Sequence, residues 1–448
     1  MLLYILLIQG FINYQAIMLC NERMNEMKNS SYSGFYKLSP EERLAEAAEF
    51  CGLSEEDKAV ISSGNSLDMD KADHMIENVI GRFTLPMAVG LNFTINGKDY
   101  LIPMVSEEPS VVAAASNAAK MARENGGFYT SNTGAIMIAQ IQLIDIPDPN
   151  FAKIKIYENK SKIIEICNEK DPTLVKFGGG MEDLEVRVID TLQGKMVIVH
   201  LKVNTLDAMG ANAVNTMAEA VAPFLEEITG GKAYLRILSN LAVHRLARAR
   251  TVIKKETLGG EEIVDKIVTA YAFAAADPFR AATHNKGIMN GIIPVVLATG
   301  NDTRAIESGA HAYASISGKY TSLTTWEKNA DGDLVGTIEL PMAVGLVGGA
   351  TKIHPTAQVA VKMLGVKSAT ELGEIIAAVG LAQNMAAIKA LATEGIQRGH
   401  MSLHARNLAT VAGAKGEVME EIVKKMVSEK NVRLEYAQEL LKEYENRK

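Results

Sequence analysis

The spacing of apolar and polar side chains changes period several times along the chain, and each change predicts an element. SPEERLAEAAEFCGL repeats apolar residues at helical spacing behind Ser39 as N-cap, Pro40 at the first helical position and Glu42 to close a capping box. SEEPSVVAAASNAAKMARENGG offers Pro109 for a first turn, an alanine-rich body, Lys120 and Arg123 late, and Gly126-Gly127 as a stop. Its small side chains predict a central helix against which neighbours pack closely.

From Ala135 the period falls to two. AIMIAQIQLIDI reads as a strand, KIIEICNEKD as a helix, GKMVIVHLKVNTLDA as a second strand and NAVNTMAEAVAPFLEEITGG as a closing helix, a small α/β unit spanning residues 136–239. SNLAVHRLARARTVI leads back out near Asn240, so residues 34–135 and 240–394 are expected to form one large domain into which this unit is inserted. From Gly395 the chain is helical, and its charged end, VMEEIVKKMVSEKNVRLEYAQELLKEYENRK, suits an exposed, mobile cap over residues 395–448. The fold class expected is mixed α+β and α/β, with a large domain around a central helix. LPMAVGL occurs at Leu85 and again at Leu340, which two similar strand-to-glycine turns explain without a duplicated domain.

Composition narrows the function classes. Hydrophobic residues make up 48% of the 448 and charged residues 22%, an ordinary globular mix for two or three domains. A net charge of -7 with no block of like charges does not suggest a nucleic-acid footprint. Cys20, Cys51 and Cys167 lie far apart with no C-x-x-C, which argues against a disulfide framework or a cysteine zinc site and fits a reducing cytoplasm. The first twenty residues, MLLYILLIQGFINYQAIMLC, are apolar, but no Lys or Arg precedes them and Gln9, Asn13 and Gln15 interrupt them. Residues 1–33 are expected to be an upstream extension, with Met18, Met24 or Met27 as the native start, in preference to a membrane segment.

Chemistry concentrates in ATHNKGIMNG and ATGND. Lys286, read as lying in a loop among Asn285, Asn290 and Gly287 and set off by the apolar IIPVVLA, is expected to be buried. An ammonium there can act as a base, as a Schiff-base nucleophile or as a fixed charge for an oxyanion, and Asp302 nearby favours the last because it would hold the lysine charged. A purely structural Lys286–Asp302 pair is the competing reading. Glu108 sits where the EEPS helix is expected to begin, where a carboxylate ordinarily caps and stays ionised. His400 and His404 in GHMSLH share a face if helical, but Met401 follows His400 and no third ligand is evident, so no metal is expected. His400 reads better as a proton donor poised near neutrality. His284 and His311 read as structural. DAMGAN, Asp207 to Asn212, joins a strand to a helix, where Gly210 would let a pyrophosphate approach the free amides. No Rossmann or Walker fingerprint accompanies it.

In order along the chain, ENVIGRFTLPMAVG, EEPSVVAAAS, DAMGANAVNTM, RAATHNKGIMNG, ATGND, LVGGATK and GIQRGHMSLHARN resemble the soluble class II 3-hydroxy-3-methylglutaryl-CoA (HMG-CoA) reductases from about Gly34 onward. That resemblance implies an oxidoreductase interconverting HMG-CoA with mevalonate and CoA by two hydride transfers from a nicotinamide cofactor, through mevaldyl-CoA and mevaldehyde. It implies that Lys286 holds the oxyanion, Asp302 orients Lys286, Glu108 carries a proton, and His400 on the C-terminal cap protonates the CoA thiolate. It further implies that Ser110, Asn240, Arg280, Asn290 and Gln383 contact substrate, and that Asp171, Asp207, Met209, Gly210 and Asn212 of a non-Rossmann inserted domain contact cofactor. Asp171 would repel a 2'-phosphate, favouring NADH over NADPH. A homodimer with shared active sites is implied too. Arg406 stands where the membrane-bound class I enzymes carry a regulatory serine, so control by that route is not expected. A Schiff-base aldolase and a non-catalytic CoA-thioester-binding homologue are the alternatives.

Overall fold

The computed structural model describes residues 29–445 apart from 65, 394 and 395, and the side chains of 396–403 also lie outside that description, as do residues 1–28 of the apolar extension. Helix α1 (Pro40–Cys51) starts as its residues dictate: the Ser39 hydroxyl accepts the Glu42 amide at 3.2 Å, and the Glu42 carboxylate accepts the Ser39 amide at 2.7 Å. Strands β1 (Met87–Ile95) and β2 (Lys98–Val105) form a hairpin, followed by α2 (Val111–Arg123) and β3 (Phe128–Asn132). Next come β4 (Ile136–Ile144), α3 (Lys160–Asn168), α4 (Pro172–Lys176), β5 (Gly180–Thr191), β6 (Gly194–Asn204), α5 (Ala211–Thr229) and β7 (Lys232–Ser239). The chain continues through β8 (Leu246–Ile253), α6 (Pro278–Ala298), α7 (Thr303–Tyr313), β9 (Thr324–Lys328), β10 (Leu334–Pro341) and α8 (Ala369–Ala392). Helices α9 (Ile396–Val411), α10 (Gly416–Ser428) and α11 (Leu434–Glu445) close it, packed on one another through Ala409, Ile422, Met426 and Leu440.

One sheet runs β2-β1-β3-β8-β10-β9, antiparallel except where Ile95 of β1 meets Phe128 of β3. Its core helix is α8, which is mostly apolar: Leu372, Ile375, Ile376, Val379 and Met385 are all buried. Among the described residues α8 is the helix long and apolar enough to cross a membrane, and most of it lies inside this core. The alanine-rich α2 buries Ala115, Ala118, Ala119 and Ala122 in this core, where it packs against α8 and β1, and keeps Lys120 on an exposed side.

The second sheet, β5-β6-β4-β7, is antiparallel throughout, with α3 and α5 against it. Strands β5 and β7 are absent from the strand-helix-strand-helix reading. The acidic residues Glu182 and Glu185 mask the buried Met181, Leu184 and Val186 of β5, and β7 exposes Tyr234 and Leu235 at the sheet edge. The two LPMAVGL segments are not equivalent, since the first enters β1 and the second leaves β10 as a loop whose Val347 bridges Ala208.

Candidate active site

Lys286 stands in the middle of a helix, not in a loop. Asp277 caps α6 by accepting the Arg280 amide at 2.8 Å, and Pro278 follows at the first position. Of the glycines and asparagines that suggested a loop, Gly291 serves a close crossing, where a Cβ would lie 2.6 Å from Gln383 Cβ and 2.9 Å from the Val379 carbonyl of α8, while Asn285 bonds the Thr321 carbonyl and the Leu323 amide. Arg280, Thr283, His284, Gly287 and Asn290 therefore share a face of α6, and with Lys286 they line a cavity of about 460 Å³. Glu108, Ser110 and Val111 close a second side, and Gln383, Asn384 and Ala387 of α8 a third.

Lys286 Nζ lies 2.9 Å from Glu108 Oε2, and Asn290 Nδ2 donates to Glu108 Oε1 at 3.2 Å. The ion pair of Lys286 is thus with Glu108; no ion pair joins it to Asp302 within the chain. Asp302 caps α7, accepting the Arg304 and Ala305 amides at 3.0 and 3.2 Å, with the Arg304 guanidinium 3.2 Å away. Burial pushes its carboxyl up, but those amides and the guanidinium outweigh it and leave the group below the usual range. Nor is the ammonium buried in the single chain, where its side chain is 61% exposed against 35% for Glu108. Glu108 does not cap α2, which begins three residues later behind Ser110, whose φ of 76° is a left-handed conformation costly for serine. That strain sits at the rim of the cavity.

Of the expected substrate contacts, Ser110, Arg280, Asn290 and Gln383 line this cavity. Asn240 does not; it lies in the turn after β7, where its carbonyl accepts the Ala242 amide at 2.9 Å. His400 falls in α9, and its side chain lies outside the described residues. His284, read as structural from the sequence, lines the cavity while 2% exposed, and burial, then the charge of Arg280, pushes its pKa down to about 4. Its position four residues after Arg280 would have signalled this had the segment been read as helical. His311 is bonded to the Tyr320 hydroxyl at 2.8 Å.

The expected cofactor residues lie on two turns. Asp171 caps α4 through the Leu174 amide at 2.8 Å. Asp207 Oδ1 accepts the Ala369 amide at 2.7 Å, at the first residue of α8, while Asn212 is exposed at the start of α5. Gly210 caps α5 with φ 99°, and a Cβ there would collide with Thr205. Arg245, buried and pushed down to about 10 by desolvation against the opposing charge of Asp207, donates to Thr205 Oγ1, Ala208 O and Val344 O at 2.8, 2.9 and 2.6 Å, and reaches Met209 O at 3.5 Å. Gly345, in the same stretch as Val344, donates to Asn301 Oδ1 at 2.7 Å. The Asp207–Gly210 turn and the Asp302 loop are so held against one strip of backbone.

The family model for hydroxymethylglutaryl-coenzyme A reductase matches residues 39–405. A 3-hydroxy-3-methylglutaryl-coenzyme A reductase from Archaeoglobus fulgidus is 62% identical over 420 residues, covering 94% of this chain and 96% of its own. A probable one from Borreliella burgdorferi is 38% identical, covering 85% and 89%. Among solved structures, the Streptococcus pneumoniae enzyme aligns over 92% of this chain and all of its own, with TM-score 0.80 and 43% identity. A second structure of that class II enzyme, in open conformations and bound to NADPH, aligns over 81% of this chain with TM-score 0.79. With identity this high across nearly the full length of both chains, this protein belongs to the hydroxymethylglutaryl-coenzyme A reductase family.

Proposed function

We propose that the chain interconverts HMG-CoA and mevalonate with a reduced nicotinamide cofactor, and that the reacting acyl group lies in the cavity between α2, α6 and α8. The observation that carries this reading is the Lys286–Glu108–Asn290 cluster on the wall of a cavity that also holds Arg280 and Ser110. In the first half-reaction hydride adds to the thioester carbon and the carbonyl oxygen gains the charge; Lys286 supplies the ammonium that stabilises it. The resulting hemithioacetal collapses to an aldehyde, and His400 protonates the departing CoA thiolate. A second hydride reduces the aldehyde, with Glu108 carrying the proton to its oxygen. Arg280 and Ser110 hold the distal carboxylate, for which a guanidinium fork is suited. Asp302 takes the orienting role only by leaving Arg304 or by approaching from a second copy of the chain.

The cofactor is assigned to the 136–239 unit around Asp207, Met209, Gly210 and Asn212, with Asn240 at its boundary with the 34–135 and 240–394 domain and residues 395–448 as the cap. NADPH occupies the Streptococcus pneumoniae relative, and here Asp171 caps α4 through one carboxylate oxygen, so NADH and NADPH are both to be tried. The exposure of the Lys286–Glu108 pair favours a site completed by a second copy of the chain, which would exclude water and strengthen the charge interaction. The test is cofactor oxidation by the purified chain with HMG-CoA, run separately with NADH and NADPH. Oxidation dependent on HMG-CoA is the expected result, and binding of the thioester without oxidation would make the chain a non-catalytic homologue.

A further inference from the structure

Arg245 is 2% exposed, and the acceptors its guanidinium meets are all uncharged: Nη1 donates to Thr205 Oγ1 and Ala208 O and reaches Met209 O, and Nη2 donates to Val344 O. Its Nε has no partner among the described residues. A cation buried on these terms is costly. What it supplies that an apolar side chain cannot is geometry, because a rigid planar fork of donors fixes the atoms it touches relative to one another.

Those atoms belong to segments that leave different sheets. Thr205, Ala208 and Met209 form the turn between β6 and α5, beyond the four-stranded sheet, and Val344 lies in the strip of backbone that follows β10 of the six-stranded one. The turn carries strain: Leu206 adopts φ 50°, a left-handed conformation costly for a bulky side chain, while the Ala208 amide closes back on Thr205 O at 3.0 Å. Arg245 is itself anchored, its carbonyl accepting the Met342 amide at 2.9 Å just ahead of the strip.

Holding the Ala208 carbonyl fixes the plane of the Ala208–Met209 peptide, and with it the direction in which the chain leaves toward Gly210 and α5. The strip closes on the same turn: Leu346 donates to Asp207 O at 2.8 Å, and a Cβ on Gly345 would lie 2.6 Å from Met209 N. Gly345 donates in turn to Asn301 Oδ1 at 2.7 Å, beside Asp302. A shift of the turn is therefore passed to the strip, and from the strip to the Asp302 loop.

We propose that Arg245 is a positioning residue for the reduced nicotinamide cofactor: it sets the 205–210 turn against the 344–347 strip and so holds the cofactor's contacts in register with Asp302. It acts through the turn and is not among the residues that line the acyl cavity. This deepens the reading given above and rests on its assignment of the cofactor to Asp207, Met209, Gly210 and Asn212.

The test is nucleotide affinity, read from the fluorescence of NADH or NADPH bound to the full chain, set beside HMG-CoA affinity from calorimetry without nucleotide. In Arg245→Lys the single ammonium cannot span turn and strip together. The nucleotide Kd is expected to rise about tenfold or more, and the HMG-CoA Kd to stay within about twofold. Thr205→Val removes one acceptor at nearly the same shape and is expected to weaken nucleotide binding about threefold to tenfold, with Thr205→Ser near wild type. Added to Arg245→Lys it should change little further, because both act through one contact. An arginine that is merely structural lowers the melting temperature of these variants but leaves both Kd values in place or moves both alike, and either result overturns the proposal. Thr205→Val decides alone if Arg245→Lys does not fold. A wild type that binds neither nucleotide overturns the cofactor assignment and the proposal with it, whereas wild-type binding with unmoved variants overturns the proposal alone.

Discussion

Lys286 Nζ lies 2.9 Å from Glu108 Oε2 although 178 residues separate the two in sequence. Asn290, one helical turn beyond Lys286, takes the other oxygen of the same carboxylate at 3.2 Å. A single helix face thus presents a cation and an amide to one carboxylate, at a distance a proton can cross. Both members of the ion pair are solvated in the single chain, so their attraction contributes at most about 1 kcal/mol to folding.

That separation of roles makes Lys286→Ala a clean probe. Its unfolding free energy should stay within about 1 kcal/mol of wild type. Its turnover of HMG-CoA should fall by about a hundredfold or more, as when an oxyanion partner is removed. Thermal melting followed by a rate measurement on the same preparation reads both.

Gly287 and Gly291 lie on the same helix but should respond oppositely to alanine. Nothing lies within 4 Å of a Cβ built on Gly287, so Gly287→Ala should raise stability by about 0.5–1 kcal/mol through helix propensity. On Gly291 the Cβ would meet Gln383 Cβ at 2.6 Å and the Val379 carbonyl at 2.9 Å, and Gly291→Ala should lower stability by about 1–3 kcal/mol. Denaturant midpoints of the two variants check the sign.

Burial, with the charge of Arg280, pushes His284 down to about 4 from the ordinary 6.5 of an imidazole. At pH between those values the unfolded chain binds the proton and the folded chain does not. Its contribution is therefore fully present above pH 6.5 and is lost as pH falls toward 4. Wild type should lose up to about 3 kcal/mol over that window from this group alone. His284→Gln should show a shallower loss than wild type in urea titrations across the window; parallel curves would count against the buried neutral imidazole.

Asp207 ties the β6–α5 turn to the first amide of α8 at 2.7 Å, and Ser368 takes the Glu371 amide of the same helix at 3.1 Å. Replacing Asp207 with alanine removes one cap and should cost about 0.5–2 kcal/mol. If the turn also positions the cofactor, the KM for the nicotinamide nucleotide should rise more than kcat falls. Melting temperature and the two kinetic constants separate the effects.

Local chemistry was legible in the sequence where it depended on neighbours in the chain. The Ser39–Glu42 capping box, the β4 and β6 strands and helix α5 stand where their residues put them. What failed was decided by packing. THNKGIMNG has weak helix propensity, at about 1 kcal/mol for each glycine, yet it is helical because Ile288, Met289, Ile292 and Val295 bury an apolar side of α6 in the core, and α8 crosses close enough at Gly291 to exclude a larger side chain. Strand β5 was hidden by carboxylates on its open face. For the site, motif resemblance supplied residues that do converge, such as Ser110, Arg280 and Gln383. The pairing of Lys286 with Glu108 and of Asp302 with Arg304 required the fold, since neither follows from distance along the chain.

The central claim is that the Lys286 ammonium stabilises the oxygen that gains charge when hydride reaches the thioester. It is tested most directly by single-turnover reduction of HMG-CoA by wild type and Lys286→Ala, each saturated with thioester and reduced cofactor. The account predicts bound substrate in both and a hydride-transfer step slowed by about a hundredfold or more in the variant. A variant that transfers hydride at the wild-type rate would contradict it.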